Sequence, residues 1–505
     1  MRKSLIVLAF YLLIGSNVWA DVQTFERSRA WDVEGVRVYH LKGTGEEMGR
    51  AAAVLGRKDA ATQSIVPYVA NYTERLISGI KLFRDNPDFK KLIPAYLFLG
   101  YYKPLSESIP SAYKLQLDAY AESLKINRSQ MRNGFLNADI VPILVSRHLD
   151  DEFKDIPKTH ACSSFVALPS VTGGETYFGR LMDYAAAKRF SSQPAVYFIE
   201  REAFPRRDKK LKYAIVSTEG VFIGATTAMN EAGLSIALHN AFTKQNYLDG
   251  VPILAVATKI MEEAKTIESA VQICRTNMPL TGWFMHLADT ATGRPRAAVI
   301  EINPGRRSCD VKFSEDYSVL TNHYRNPVHI ADEIRLGHSI DEATRNRLVR
   351  MTDLIEKSRG LFDLGRVATL LSDRYDIESK RTHPAAPNAI AVMSQATSVI
   401  FAPESRRFWV SNGSRIPSVG GKYISFRFDD LSHDSDLDVK INDDESSRWP
   451  GFFEYLSAYD LTDEAVSPDH DVWKKSLFHL DRAIELESSE PIYRLTRGLV
   501  LFRLQ

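Results

Sequence analysis

The sequence predicts an α+β protein: two sheets packed face to face between two helical layers, a four-layer αββα sandwich. Three observations predict it. Short apolar, β-prone runs separated by Gly- and Pro-containing turns crowd residues 162–240. Two helical stretches, 253–264 and 267–275, interrupt them. Strand patterns then resume at 283–302 and at 394–411. Each sheet face and each amphipathic stripe must bury itself on a partner, and this order suits two sheets covered by two helical layers.

The chain begins with a stretch that reads as a secretory signal. Arg2-Lys3 is a positive start, Leu5 to Ile14 an apolar core, and Val18-Trp19-Ala20 fits cleavage before Asp21. The competing reading is an uncleaved anchor, which the shortness of the apolar run disfavours. The protein is therefore expected to be exported, periplasmic or secreted, with no membrane span after signal removal. Residues 21–161 read as a mostly helical unit after a short strand at Val36 to His40. Helices are expected at Ala61 to Phe83 and at Ser111 to Leu124, the second with Pro110 just before its start. Asp150 to Lys158 is polar and is expected to be exposed. Asn71, Asn127 and Asn412 match glycosylation sequons, a weak pattern that has meaning only in a glycosylating source.

A main domain is expected from 162 to 428. Cys162 to Leu168 and Thr176 to Tyr184 read as a hairpin with Gly173-Gly174 at its tip. Strands are expected at 195–199, 213–216, 221–223 and 234–238, with turns at Glu219-Gly220 and Glu231-Ala232-Gly233. Ser339-Ile340-Asp341-Glu342 reads as a capping box opening a helix to about Lys357. Residues 429–446 are acidic and poor in large apolar side chains, which suggests a linker. The tail, 447–505, is helical. Asp481 to Glu487, Pro491 and Gly498 resemble part of a tetratricopeptide unit, although a simple helical hairpin fits as well. One such unit cannot bury its own face, so the tail should pack on the main domain or on a protein partner.

Composition narrows the chemistry. Hydrophobic residues are 44%, charged residues 25%, and the net charge is +1, so nothing favours a nucleic-acid partner. At 505 residues the chain exceeds one typical core, so two or three domains are expected. No His-Glu-x-x-His, paired-Cys, Gly-x-Ser-x-Gly or phosphate-loop motif appears, and neither a metal nor a cofactor is expected. The three cysteines are Cys162, Cys274 and Cys309. An odd count in an exported chain flags a free thiol. Pairing of Cys274 with Cys309 leaves Cys162, while three free buried thiols are equally allowed. Cys162 opens the first hairpin strand, and Arg180 and Asp183 lie on the returning one. A nucleophile, a cation and a carboxylate can thus meet at one end of one hairpin. Taken alone, a cysteine is more often a small buried hydrophobe.

The run Cys162-Ser163-Ser164-Phe165-Val166-Ala167, followed by Gly179-Arg180-Leu181-Met182-Asp183, resembles the opening of the N-terminal-nucleophile cysteine hydrolases. That superfamily includes isopenicillin N acyltransferases, choloylglycine hydrolases and acid ceramidases. Met229-Asn230-Glu231-Ala232-Gly233-Leu234, with His239-Asn240, is similar to its strand pair ending in a functional Asn. Leu320-Thr321-Asn322-His323-Tyr324 resembles the segment supplying a second Asn, and Leu41 to Arg50 a motif near the start of the acyltransferase prosegment. The resemblance spans about 35–415. Ala161 stands where the acyltransferase branch has Gly.

The resemblance implies a helical prosegment, 21–161, that cuts itself from the sandwich between Ala161 and Cys162. It implies Cys162 as nucleophile, with Arg180, Asp183, Asn240 and Asn322 completing the catalytic set. The chemistry is self-consistent. An α-amino group of pKa about 7.7–8.0 can serve as base to its own thiol of about 8.5. Attack on an amide carbonyl then gives a thioester, the two asparagines stabilise the oxyanion, and water or a second amine takes the acyl group. Within that mechanism His239 and His323 are strand residues lining or bordering the pocket, and His160 a loop residue. The implied substrate is a small-molecule amide, acylated in several branches. The alternative is an inactive sandwich that recruits a partner through its helical tail.

Overall fold

The computed structural model describes residues 22–58, 69, 73–74, 77–78, 80–148, 162–184, 187–202, 210–413, 415–441, 448–464 and 469–505. The expected signal, Ala161 with the polar stretch before it, Asn71 and most of the expected 61–83 helix lie outside the described residues.

Two large sheets dominate. The first has ten strands in the order Gln23–Phe25, Ser28–Val33, Val36–Gly43, Pro194–Arg201, Tyr213–Thr218, Thr227–Asn230, Ser235–Asn240, Trp283–Asp289, Arg296–Asn303, Ser308–Ser314. The second has seven, Tyr317–Leu320, Cys162–Ala167, Tyr177–Asp183, Gln395–Ala402, Arg407–Ser411, Lys422–Arg427 and Val439–Lys440. Alternation along the strands decides what each face meets. Val196, Phe198 and Val216 of the first sheet share a buried cluster with Val166, Phe178 and Phe401 of the second. The opposite face of the first sheet, with Tyr197, Ile199 and Met285, packs under helices Ser111–Leu124, Arg128–Arg147, Ile253–Glu263 and Ile267–Thr276. The opposite face of the second, with Phe165, Leu181 and Ile400, packs on helices His338–Lys357 and Leu364–Leu371. The fold is thus α+β, with helix, sheet, sheet and helix stacked in that order.

Several expected elements form in place: the Cys162–Ala167/Tyr177–Asp183 hairpin, the Ser111–Leu124 helix, and the Trp283–Asp289 and Arg407–Ser411 strands. Others differ. Residues 221–223 form no strand. Their apolar run is explained by burial of Phe222 and Ile223 in a loop, and the strand is Thr227–Asn230. The 338–357 helix starts at His338 with Gly337 as N-cap and no side-chain cap, so the expected box residues lie inside its first turns. The Arg128–Arg147 helix escaped the sequence pattern because Pro142 sits inside it. Asn127 caps that helix, its Oδ1 accepting from the Ser129 N–H at 2.8 Å, so this sequon asparagine has a structural task.

The segment before Cys162 is not a separate unit. Val36–Gly43 runs parallel to Pro194–Arg201, so this segment supplies three strands to the first sheet. The acidic stretch after 428 is only partly a linker: Val439–Lys440 pairs with Lys422–Arg427, and Asp438 Oδ1 accepts from the Ser425 N–H at 2.9 Å. The tail forms helices Phe452–Glu464, His470–Leu486 and Pro491–Leu504, packed on the main domain at Ile416 and Val419 and joined by Arg415 to Asp460. Cys274 and Cys309 form a disulfide, which leaves Cys162 as the free, buried thiol.

Two of the sequence motifs prove to be scaffolding. Thr44 and Glu47 make a reciprocal capping box at the start of the Gly45–Leu55 helix. A Cβ on Gly49 would lie 2.3 Å from the Gln116 carbonyl, so this helix seats against Ser111–Leu124 only with glycine there. Asn230 folds the turn before Gly233: its Oδ1 accepts from the Ala232 and Leu234 N–H groups. Its Nδ2 donates to the Ala264 carbonyl at 2.8 Å, closing the end of the Ile253–Glu263 helix.

Candidate active site

The hairpin register sets the site. Cys162 lies opposite Met182 and Ser164 opposite Arg180, so the arginine sits diagonally across from the cysteine. Gly179 makes the strands fit, since a Cβ there would stand 2.4 Å from the Phe165 ring. Arg180 is fully buried, and its Nη2 donates to Cys162 Sγ at 3.1 Å and to the Leu238 carbonyl at 2.6 Å. The contact sets a fixed guanidinium directly against the sulfur.

The cysteine backbone is held as firmly as its sulfur. Its N–H donates to Asn322 Oδ1 at 2.6 Å. Asn322 Nδ2 donates to the Asn240 carbonyl at 3.1 Å. A donor on one side and an acceptor on the other fix which way the Asn322 amide points. Asn322 therefore orients the nitrogen of Cys162 and keeps one N–H of its amide uncommitted. Its own N–H donates to Thr344 Oγ1 at 2.8 Å.

Arg347, which the motifs did not single out, grips the same residue from the helical layer. Its Nη1 donates to the Cys162 carbonyl at 2.8 Å and to Ser163 Oγ at 2.6 Å. The signal was present. Thr344, Arg347, Met351 and Ile355 form the buried stripe of the His338–Lys357 helix, and a charge on such a stripe needs a partner.

Asp183 is fully buried, and among the described residues neither carboxylate oxygen has a hydrogen-bond partner. Burial pushes its pKa up to about 7, against the pull of Arg347 and Arg180. An unpartnered carboxylate beside the cysteine strand is a place prepared for a cation.

His239 does not wall the pocket. It points between the sheets, where its Nε2 meets Arg180 Nη1 at 3.1 Å and Ser164 Oγ at 2.7 Å. Ser164 Oγ also meets His286 Nδ1 at 2.7 Å, and His286 Nε2 meets Ser318 Oγ. An arginine can only donate, so His239 Nε2 must carry its lone pair. That sets every proton in the chain: Ser318 donates to His286, His286 to Ser164, and Ser164 to His239. Burial first, then nearby arginines, hold both rings well below the usual histidine range, so both are neutral. Neither is placed as a general base. His323 lies beyond the strand end, with Nδ1 3.2 Å from Thr344 Oγ1.

Cys162, Arg180, Asp183 and Asn240 line one cavity of about 170 Å³. Its far walls are apolar: Leu117, Met131, Phe135, Val141, Phe222 and Trp283 among them. Leu117, Met131, Phe135 and Val141 precede Cys162 in the chain, so the segment before the cysteine builds one side of the cavity. Of the five sequence-predicted catalytic residues, four line this cavity and Asn322 stands behind the cysteine nitrogen. Ala161 lies outside the described residues.

A family model described as acyl-coenzyme A:6-aminopenicillanic acid acyl-transferase matches residues 172–416. The family match supports the resemblance to the N-terminal-nucleophile hydrolase superfamily. The matched stretch holds Arg180, Asp183, Asn240, Asn322 and Arg347 and begins after Cys162. Among solved structures, a penicillin V acylase from Agrobacterium tumefaciens is similar at 16% identity and a TM-score of 0.33 over 53% of this chain and 87% of that one. No curated protein matches the chain. The family match points to an acyltransferase or amidase of this type acting on small molecules.

Proposed function

We propose that the protein is an exported, self-processing cysteine amidase or acyltransferase that works through a thioester on an acylated small-molecule amide. The observation that carries this is the set of partners around Cys162: Arg180 on its sulfur, Asn322 on its nitrogen and an unpartnered Asp183 on the adjoining strand. Cleavage before Cys162 turns its N–H into an amine. Asn322 Oδ1 then orients that amine, and Asp183 gains the cation it lacks. As a free base the amine takes the thiol proton, and Arg180 steadies the thiolate. The thiolate attacks the amide carbonyl. The oxyanion is met by the uncommitted N–H of Asn322 together with Asn240, where one lost donor typically costs about 10²–10³ in rate. The amine returns its proton to the leaving nitrogen. Water, or a second amine, then attacks the thioester and frees the thiolate.

The scaffold alternative is disfavoured by the same geometry, because a binding protein gains nothing from a buried cysteine held at its sulfur by Arg180 and at its carbonyl by Arg347, beside a buried carboxylate. Intact mass spectrometry of the purified protein tests the reading. We expect two chains, 21–161 and 162–505, and a single uncut chain from Cys162→Ala. Full activity in uncut protein, or cleavage of Cys162→Ala at the same bond, would overturn it.

A further inference from the structure

We propose that the surface formed by Phe89 to Ser106 docks the protein on an anionic lipid bilayer. Three short helical pieces, Ile93–Leu97, Phe98–Tyr102 and Lys103–Ser106, run head to tail with helical backbone at each junction. Their inner face is buried through Ile93, Leu97, Tyr101, Tyr102 and Leu105. The outer face is apolar too. Leu92 is 51% exposed, Phe98 41% and Leu99 63%, with Phe89 at 44% in the turn before them. A helix apolar on two faces, with one of them bare, lacks a partner on the second.

Charge identifies the partner. From Phe89 to Ser106 the sequence carries Lys90, Lys91 and Lys103 and no acidic residue. Of the acids at its borders, Glu107 faces Lys114 at 3.2 Å, while Asp88 lies 3.8 Å from Lys91 in a wide, exposed pair that offsets that lysine only in part, so Lys90 and Lys103 carry most of the charge. Exposed Phe and Leu among lysines make an interfacial surface, apolar enough to enter the headgroup boundary and cationic enough to prefer anionic lipid. Among the described residues no helix is long and apolar enough to cross a membrane, so the contact is lateral.

The position of the patch gives it a task. The Phe98–Tyr102 and Lys103–Ser106 pieces pack on the Arg128–Arg147 helix, whose Met131, Phe135, Ala138 and Val141 wall the cavity beside Cys162. One helix thus backs the lipid-facing surface on one side and the apolar cavity on the other. Docking by this surface would bring a bilayer holding a lipid-soluble acyl amide up to the helix that walls the cavity. This last step rests on the amidase reading, whereas the docking itself does not.

The test is co-sedimentation of the full-length protein with vesicles of phosphatidylcholine alone or mixed with phosphatidylglycerol. Wild type should pellet with the anionic vesicles and be released by salt. Phe98→Glu with Leu99→Glu should abolish pelleting, and Lys90→Glu and Lys91→Glu should each weaken it about fivefold. The rate of Cys162 alkylation by iodoacetamide without vesicles should be unchanged in all of them, showing that each is folded. Wild type remaining in the supernatant, or variants that pellet equally, would overturn the proposal. So would a concentration-dependent dimer in sedimentation velocity that Leu99→Glu disperses, since a second copy would then own the face. Docking without any amidase activity would leave this inference standing and remove the proposed function.

Discussion

At the residue scale, the unusual feature is how many buried groups are anchored around one cysteine. His239 is a positioning residue: as a neutral acceptor it holds Arg180 Nη1 and so leaves Nη2 for the sulfur. His239→Leu should raise the pH midpoint of Cys162 alkylation, because Arg180 loses an anchor and holds its guanidinium less firmly against the sulfur. His239→Gln, which can still accept, should restore much of it. A purely structural histidine would lower the melting temperature and leave the midpoint alone. The comparison must hold Asp183 and Arg347 constant, because both also face the cysteine. Asp183 gives a second prediction. Its pKa in the unprocessed fold, about 7, lies above the ordinary carboxyl value. The folded state therefore binds this proton more tightly than the unfolded one. Stability from this group is full below about pH 4. It is lost as pH rises to about 7, falling by roughly 1.4 kcal/mol for each pH unit crossed. In a Cys162→Ala background, Asp183→Asn should flatten the melting temperature between pH 4 and 7. An unchanged slope would show that this carboxyl stays ionised by another partner.

At the element scale, close packing decides signs that propensity alone gets wrong. Glycine in a helix costs about 1 kcal/mol relative to alanine. At Gly498 of the Pro491–Leu504 helix, a Cβ meets nothing within 4 Å, so Gly498→Ala should stabilise by about that amount. At Gly49 the new Cβ would press on the Gln116 carbonyl at 2.3 Å. Overpacking typically costs about 1–3 kcal/mol, so Gly49→Ala should lower the melting temperature although both sites are helical. Equal shifts of one sign in the two variants would contradict the close contact seen between the Gly45–Leu55 and Ser111–Leu124 helices. The same pair explains why Gly43 to Arg50 reads as a motif: it is a cap and a packing surface remote from the chemistry.

At the scale of the whole molecule, the segment before Cys162 is woven into the fold rather than laid upon it. Val36–Gly43 pairs along its length with Pro194–Arg201. Asp139 accepts from the Ile253 N–H at 2.9 Å and from Thr281 Oγ1 at 2.7 Å, pinning the Arg128–Arg147 helix to the main domain, and burial pushes its pKa up to about 6. If the chain is cut before Cys162, the two pieces should therefore co-elute in size exclusion and separate only in denaturant. Release of 21–161 under native conditions, with activity retained in 162–505 alone, would contradict the placement of Leu117, Met131 and Phe135 in the cavity wall.

Elements whose signals are local were legible in the chain alone. Two apolar, β-prone runs around Gly173-Gly174 marked the hairpin at Cys162, Pro110 the start of the 111–124 helix, and the order of apolar blocks a layered α+β fold. Cys162, Arg180, Asp183, Asn240 and Asn322 stood out through the resemblance of their short motifs to the N-terminal-nucleophile cysteine hydrolases, not through spacing alone. The remaining features emerged from tertiary packing. Arg347 lies far from Cys162 in sequence yet donates to its carbonyl. Cys274 and Cys309 could be paired or free until the fold brought them together, and Phe222 and Ile223 looked like a strand until burial in a loop explained them. His239 looked like a pocket residue until the stacking of two sheets turned it inward against Arg180. The physical reason is common to all four. Periodicity reports which face of an element is buried, but which residues meet across layers depends on the registers and packing of elements that the chain separates widely.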